Sequence, residues 1–251
     1  MKIAIIGTGN IGGAIARGLG NSAIVKASDI CCSDRSEEVL DTIKRVNEDI
    51  HVVTDNKEAV RNADVIIVAV KPWLLETVIK EIKSSMDYKK QVFISTAAGV
   101  DFRTLCEYLK KNDDIPALFR IIPNTAIEVK ESVNIVSSFH ATEEQIEIIK
   151  VLFDELGLTL VVEERLINAG MALASCGIAY AFRYIRAAIE GAVELGLYPE
   201  LAKIIEMQTL KGAVALLEAN RSHPEAEIDK VTTPGGITIK GLNAMEEAGF
   251  T

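Results

Sequence analysis

The sequence predicts an α/β domain built on a mostly parallel sheet, followed by a nearly all-α domain, and three observations carry that prediction. Short β-rich runs alternate with amphipathic helical stretches, a glycine-rich turn ends the first run, and beyond Arg165 the apolar period becomes helical and stays so. The change of period sets two domains, residues 1–161 and 162–251.

The β-rich runs are residues 2–6, 29–32, 64–70, 91–96 and 117–121. Residues 132–137 and 158–162 each add a strand, with a helix at about 141–156 between them. With 251 residues, 49% hydrophobic and 25% charged, the chain has enough apolar material for two ordinary domains and is neither disordered nor fibrous. A net charge of −9 without a basic arm argues against a nucleic-acid partner.

The opening MKIAIIGTGN runs from a strand straight into glycines with no cleavage site, and no continuous apolar stretch of membrane-spanning length is expected. The chain therefore reads as a mature cytoplasmic protein with no membrane partner. Cys31, Cys32, Cys106 and Cys176 form no CxxC pair and read as buried thiols. His51, His140 and His223 lie in unrelated segments, so no metal site is expected.

The turn after the first strand is Gly7-Thr8-Gly9-Asn10-Ile11-Gly12. This GxGxxG stands between a β run and a helix whose inward face is Ile11, Ala14, Ile15 and Leu19. Gly7 permits the tight turn, Gly9 leaves room for a pyrophosphate, and Gly12 lets the helix approach the sheet, while the free amides at the helix start face the diphosphate. The first domain is thus a Rossmann-type dinucleotide-binding unit, and the cofactor it implies is a nicotinamide dinucleotide.

The second strand ends in Cys32-Ser33-Asp34-Arg35-Ser36. A carboxylate there suits the ribose diol of NADH, whereas Ser33 and Arg35 suit the 2′-phosphate of NADPH. Asp34 is also placed to cap the helix beginning near Ser36. On balance the segment favours NADPH, with NADH also usable. Ala69-Val70-Lys71-Pro72-Trp73 and Ser95-Thr96-Ala97-Ala98-Gly99-Val100 follow two further strands and supply small residues for a wall along the nicotinamide half. Lys71, just ahead of a helix-starting proline, reads as structural, as a phosphate contact or as a proton donor.

In residues 170–197 the charged side chains Arg183, Arg186, Glu190 and Glu194 form one narrow polar stripe on an otherwise apolar helix, roughly 40 Å long at the usual rise. One small domain can hardly cover such a surface, so a homodimer built through the helical domain is expected, the alternative being a central helix inside its own subunit. Near the carboxyl end stands Val231-Thr232-Thr233-Pro234-Gly235-Gly236-Ile237-Thr238-Ile239. Proline and two glycines ahead of a helix leave bare amides beside threonine hydroxyls, a cradle for a small carboxylate or else a plain turn and cap. No Ser-His-Asp, Cys-His or paired-acid arrangement surrounds these loops. Hydride transfer needs none of them, and a hydroxyl such as that of Thr238 suffices if the substrate is already a cation.

Taken together the chain resembles the pyrroline-5-carboxylate reductases, from end to end. The resemblance rests on Ile5-Ile6-Gly7-Thr8-Gly9-Asn10-Ile11-Gly12, Asn56, Ala69-Val70-Lys71-Pro72, Ala97-Ala98-Gly99-Val100, Arg120-Ile121-Ile122-Pro123-Asn124-Thr125, Gln208-Thr209 with Lys211-Gly212-Ala213, and above all the Val231 to Ile239 block. It implies an all-α dimerisation domain, dimers sometimes assembled into rings, and a cofactor lying along residues 7–12, Asn56, residues 69–72 and Ala97. It further implies a cyclic imine acid between the nicotinamide and the 232–238 loop, completed by the other subunit, with Thr238 on the ring nitrogen and Thr233 with the amides around Gly235 and Gly236 on the carboxylate. The activity implied is reduction of 1-pyrroline-5-carboxylate to L-proline.

The chain departs from that family where Ser-Gly-Ser-Gly-Pro-Ala-Tyr is replaced by Ala174-Ser175-Cys176-Gly177-Ile178-Ala179-Tyr180, where Lys230 stands for an asparagine and where Asn168 stands for an acid. These changes bear on substrate fit more than on cofactor binding. A reductase of another small imine or 2-keto acid is the enzymatic alternative, although residues 169–181 hold no lysine for a hydroxy-acid mechanism. A catalytically silent nucleotide-binding assembly protein is the other.

Overall fold

Eight strands form one sheet in the computed structural model, which describes residues 1–250: β1 (Ile3–Ile6), β2 (Ile30–Ser33), β3 (His51–Val53), β4 (Val65–Val68), β5 (Val92–Ser95), β6 (Ala117–Ile122), β7 (Ser132–Phe139) and β8 (Gly157–Val161). Their order is β3-β2-β1-β4-β5-β6-β7-β8, parallel throughout except for the antiparallel pair β6 and β7. Strand order reverses between β1 and β4, and the crevice at the carboxyl ends beside such a switch is where ligands of these sheets bind.

Side-chain alternation divides the core into two layers. Ile3 and Ile5 of β1, Val65 and Ile67 of β4, and Val92 and Ile94 of β5 face one cluster, shared with α1 (Asn10–Gly20), α2 (Glu37–Val46) and, later in the chain, a helix at Glu143–Asp154. Ala4, Ile6, Ile66, Val68 and Phe93 face the other, shared with α3 (Asn56–Val60), α4 (Pro72–Ile82) and α5 (Phe102–Leu109). Burial on both faces explains why these strands read as unbroken apolar runs. Short polar side chains start several helices: Ser36 caps α2, Asp55 caps α3, Asp101 caps α5, and Thr142 with Gln145 makes a capping box on α6 (Glu143–Asp154). The expectation that Asp34 caps α2 is corrected, since Ser36 performs that task.

The first compact unit runs from Met1 to Tyr180, beyond the boundary expected at 161/162. Two contacts hold the extra segment to the sheet. Arg120 on β6, almost fully buried, pairs with Glu164 (Nη1 to Oε1 2.8 Å), and the same carboxylate oxygen accepts from the Phe102 amide at 2.7 Å. Ile167, on the short α7 (Ile167–Gly170), is buried with Ile122 and Ile135.

Next come a π turn (Met171–Ser175), α8 (Gly177–Glu194), α9 (Pro199–Asn220), α10 (Pro224–Val231) and α11 (Ile237–Glu247). The rod expected over 170–197 is therefore interrupted near its start and ends at Glu194. The second unit, Ala181–Thr251, has almost no core of its own: among the described residues Ala202 is its one buried apolar residue, while Leu195, Tyr198, Ile204 and Leu216 lie exposed in the single chain. Glu164–Glu194 is long and apolar enough, by length and composition, to cross a membrane, against the expectation that no such stretch exists.

Candidate active site

Among the six helices α1 to α6, α1 and α4 start without a side-chain cap, and both open on one cleft of about 580 Å³. Gly9 stands at the start of α1 and Lys71 at that of α4, and neither helix carries an acid in its first turn. The positive ends of both dipoles face the cleft, and the first amides of α1 are left for an anion, whereas α4 opens on Pro72, which has no N–H, and its Leu74 amide donates to the Lys71 carbonyl at 2.9 Å.

The glycine turn fits that task. Gly7 has φ +83°, and a Cβ there would lie 2.7 Å from a Val70 methyl. A Cβ on Gly12 would lie 1.9 Å from the Gly7 carbonyl oxygen, so helix and turn can meet only without side chains. Nothing lies within 4 Å of a Cβ on Gly9, the open approach that a diphosphate needs. These features fit a dinucleotide cofactor.

Gly7, Gly9, Asn10, Ile11, Ser33, Arg35, Asn56, Ala69, Val70, Lys71, Pro72 and Ala97, all expected from sequence, line this single cleft. Thr8 and Gly12 do not line it. Thr8 is buried, and its amide (2.8 Å) and hydroxyl (3.3 Å) both donate to Asp34 Oδ2, while Gly12 packs beneath Gly7. Asp34 Oδ1 accepts from the Ser36 amide at 3.1 Å. The carboxylate therefore clasps the glycine turn to the end of β2 and lines the cleft beside the exposed Arg35.

Below it the Ser33 hydroxyl donates to Asn56 Oδ1 (2.7 Å), and Asn56 Nδ2 donates to Glu81 Oε2 (3.0 Å), a chain that sets the orientation of the Asn56 amide. On the far side of the switch point, Thr96, Ala97, Ala98, Ile122, Pro123 and Ser175 complete the wall. Asp34's clasp and the contribution of Ser175 were not expected from sequence. A carboxylate two residues before a helix cap was the one available signal for the first. Burial pushes the thiol of Cys32 up to about 12 and raises that of Cys31, so neither is poised to react.

In the second unit Thr233, Gly235 and Gly236 of the expected substrate residues share one turn, with Thr232 at the end of α10 before it and Thr238 in the first turn of α11 after it. The Gly236 amide donates to the Thr233 carbonyl at 3.0 Å, with Pro234 and Gly235 (φ +71°) as the central pair, the signature of a type II turn. A Cβ on Gly236 would lie 2.6 Å from the Thr233 hydroxyl oxygen, so that hydroxyl lies close over the glycine backbone. α11 then starts at Gly236 with no side-chain cap and no acid in its first turn, leaving the amides of Ile237, Thr238 and Ile239 without intrahelical acceptors. Thr233 and Thr238 are exposed. Thr232 differs, because its hydroxyl donates to the Ile228 carbonyl (2.8 Å) and closes α10. That leaves its oxygen only as an acceptor.

Residues 164–251 match the family described as pyrroline-5-carboxylate reductase dimerisation, and residues 2–99 match NADP oxidoreductase coenzyme F420-dependent. Pyrroline-5-carboxylate reductase 2 of Dictyostelium discoideum is 34% identical over 100% of this chain and 87% of its own length. Pyrroline-5-carboxylate reductase 1 of the same organism is 39% identical, and the chain spans 46% of that longer protein. The crystal structure of Plasmodium falciparum pyrroline carboxylate reductase with NADP bound superimposes with a TM-score of 0.90 at 27% identity, covering 100% of this chain and 91% of that one.

The chain belongs to the pyrroline-5-carboxylate reductase family. Against that family, Lys230 is not a free cation at the loop: its ammonium pairs with Glu227 at 2.7 Å. Glu227 also accepts from Asn220 Nδ2 (3.1 Å) and from the Ser222 hydroxyl, and the Lys230 ammonium foremost holds its carboxyl down to about 2. The Ile178 departure falls just after the π turn, where the helix starts afresh at Gly177.

Proposed function

We propose that the protein reduces 1-pyrroline-5-carboxylate to L-proline, the last step of proline biosynthesis, with NADPH as preferred cofactor and NADH also used. The observation that carries this reading is the presence, in one member of this family, of two uncapped helix starts around a glycine-turn cleft and a third at the Pro-Gly-Gly turn. NADP in the Plasmodium relative supports the choice of cofactor.

Residues 1–161 serve as the cofactor domain. Gly7, Gly9, Asn10 and Ile11 hold the diphosphate, Ser33, Arg35 and Asn56 the adenosine end, and residues 69–72 with Ala97 the other half. When bound, the reduced nicotinamide supplies the hydride. Residues 162–251 serve for substrate binding and dimerisation. The Thr233 hydroxyl and the amides at the start of α11 bind the carboxylate, where dipole and bare N–H groups favour an anion. Thr238 binds the ring nitrogen. A hydroxyl orients a protonated imine without competing for its proton, and protonation makes the adjacent carbon a better hydride acceptor, so no strong base is required.

The apolar surface of the second unit is read as a homodimer interface, in keeping with the dimerisation description of the family, and not as a membrane span. Assembly of dimers into a ring and a cytoplasmic location belong to the same proposal. Following absorbance of the reduced cofactor on addition of 1-pyrroline-5-carboxylate, with L-proline assayed in the same sample, tests it. Equal amounts of oxidised cofactor and proline are expected, and no oxidation with either cofactor overturns the assignment.

A further inference from the structure

The helical run that begins at Ile167 widens between Met171 and Ser175 into a π turn, in which the Cys176 amide donates to the Met171 carbonyl at 2.9 Å, five residues back. Single π turns within helices are uncommon and cluster at functional sites. This one is pinned to the sheet of the first unit. Ile167 is buried against Ile122 and Ile135, a Cβ on Gly170 would lie 2.8 Å from Ile135, and the buried Asn124 side chain reaches the Ala174 carbonyl at 3.5 Å.

Its consequence is that Ser175 lines the cofactor cleft, the one lining residue beyond Pro123 among the described residues. The family pattern Ser-Gly-Ser has become Ala174-Ser175-Cys176 here: two hydroxyls are lost and one appears between them. With the diphosphate at the glycine turn and the adenosine end at Asp34 and Arg35, the opposite end of the cleft takes the nicotinamide. Of the side chains lining that end, Ala97, Ala98, Ile122 and Pro123 are apolar, and only those of Thr96 and Ser175 carry a polar atom. A carboxamide placed against such a wall needs a partner, since an unpaired amide is costly to desolvate.

We propose that the π turn presents the Ser175 hydroxyl to the carboxamide of the nicotinamide ring. The inference rests on the reading of the cleft as a nicotinamide dinucleotide site and is independent of the substrate. Equilibrium binding to the full-length protein tests it: NADPH by the fluorescence of its reduced ring, and 2′-phospho-ADP-ribose, which lacks the ring, by displacement. Ser175→Ala is expected to weaken NADPH about five-fold, the size of one net neutral hydrogen bond, and to leave 2′-phospho-ADP-ribose unchanged, while Ser175→Thr restores NADPH affinity. Unchanged binding of both ligands by Ser175→Ala, or equal weakening of both, overturns the proposal, the second result marking a merely structural residue. Failure of the parent to bind NADPH at all would instead remove the cofactor reading on which it rests.

Discussion

The two compact units solve the problem of burying apolar surface in opposite ways. In the first, every residue of β1, β4, β5 and β6 is buried and two helical layers cover the sheet. In the second, long helices leave Leu195, Tyr198 and Ile204 in the open and bury little beyond Ala202. Hydrophobic burial is the main favourable contribution to folding, so the first unit is self-sufficient and the second needs a covering surface. The difference separates what a single chain does, which is to hold a cofactor, from what requires assembly.

The largest effect should come from spoiling that cover. A Phe182→Glu, Ile204→Glu double variant buries two charges in an interface if the pairing is as proposed, and is expected to run in light scattering as a 27.2 kDa species while the parent runs at twice that mass or, as a ring of dimers, at a higher even multiple of it. A parent at 27.2 kDa would leave that apolar surface uncovered and overturn the homodimer. Next in size, Phe93→Ala removes a fully buried ring from the first unit and should cost about 3–5 kcal/mol in chemical denaturation, without altering assembly.

Much of this was legible in the sequence because it depends on local chemistry. Strands buried on both faces are continuous apolar runs, and the glycine turn and Pro-Gly-Gly turn each announce a backbone need that few other residues meet. β3 was not legible, being three residues long with an exposed His51 at its start. The antiparallel pairing of β7 with β6 is a tertiary choice that no local pattern encodes. The Asp34 clasp on Thr8 joins residues 26 positions apart, and the π turn follows from packing of Ile167 and Gly170 on the sheet.

Within the first unit the adenosine end offers a smaller test. Arg35 is exposed at the cleft beside Asp34, so Arg35→Ala should weaken NADPH roughly ten-fold while changing NADH affinity little, one partly solvated charge-assisted contact being lost. Equal losses for both cofactors would take Arg35 away from the 2′-phosphate.

The smallest effect lies in the second unit and depends on pH. Glu227 ionises more readily in the folded protein than in an unfolded chain, at about 2 against 4.5, chiefly because the Lys230 ammonium bonds its carboxylate. Its contribution is thus complete above about pH 4.5 and is lost as pH falls through about 2. Acid titration should loosen α10 over that window, as read by amide exchange, and Glu227→Gln should remove the pH dependence.

The measurement that tests the account most directly compares parent, Thr238→Ala and Thr238→Ser for kcat/KM toward 1-pyrroline-5-carboxylate, with NADPH affinity measured in parallel. Loss of one hydrogen bond to the ring nitrogen should cost about 1–3 kcal/mol, roughly 5- to 150-fold in kcat/KM, with NADPH affinity unchanged and most activity kept by the serine variant. A Thr238→Ala enzyme that turns over as fast as the parent, or a parent that oxidises no cofactor with this substrate, would contradict it.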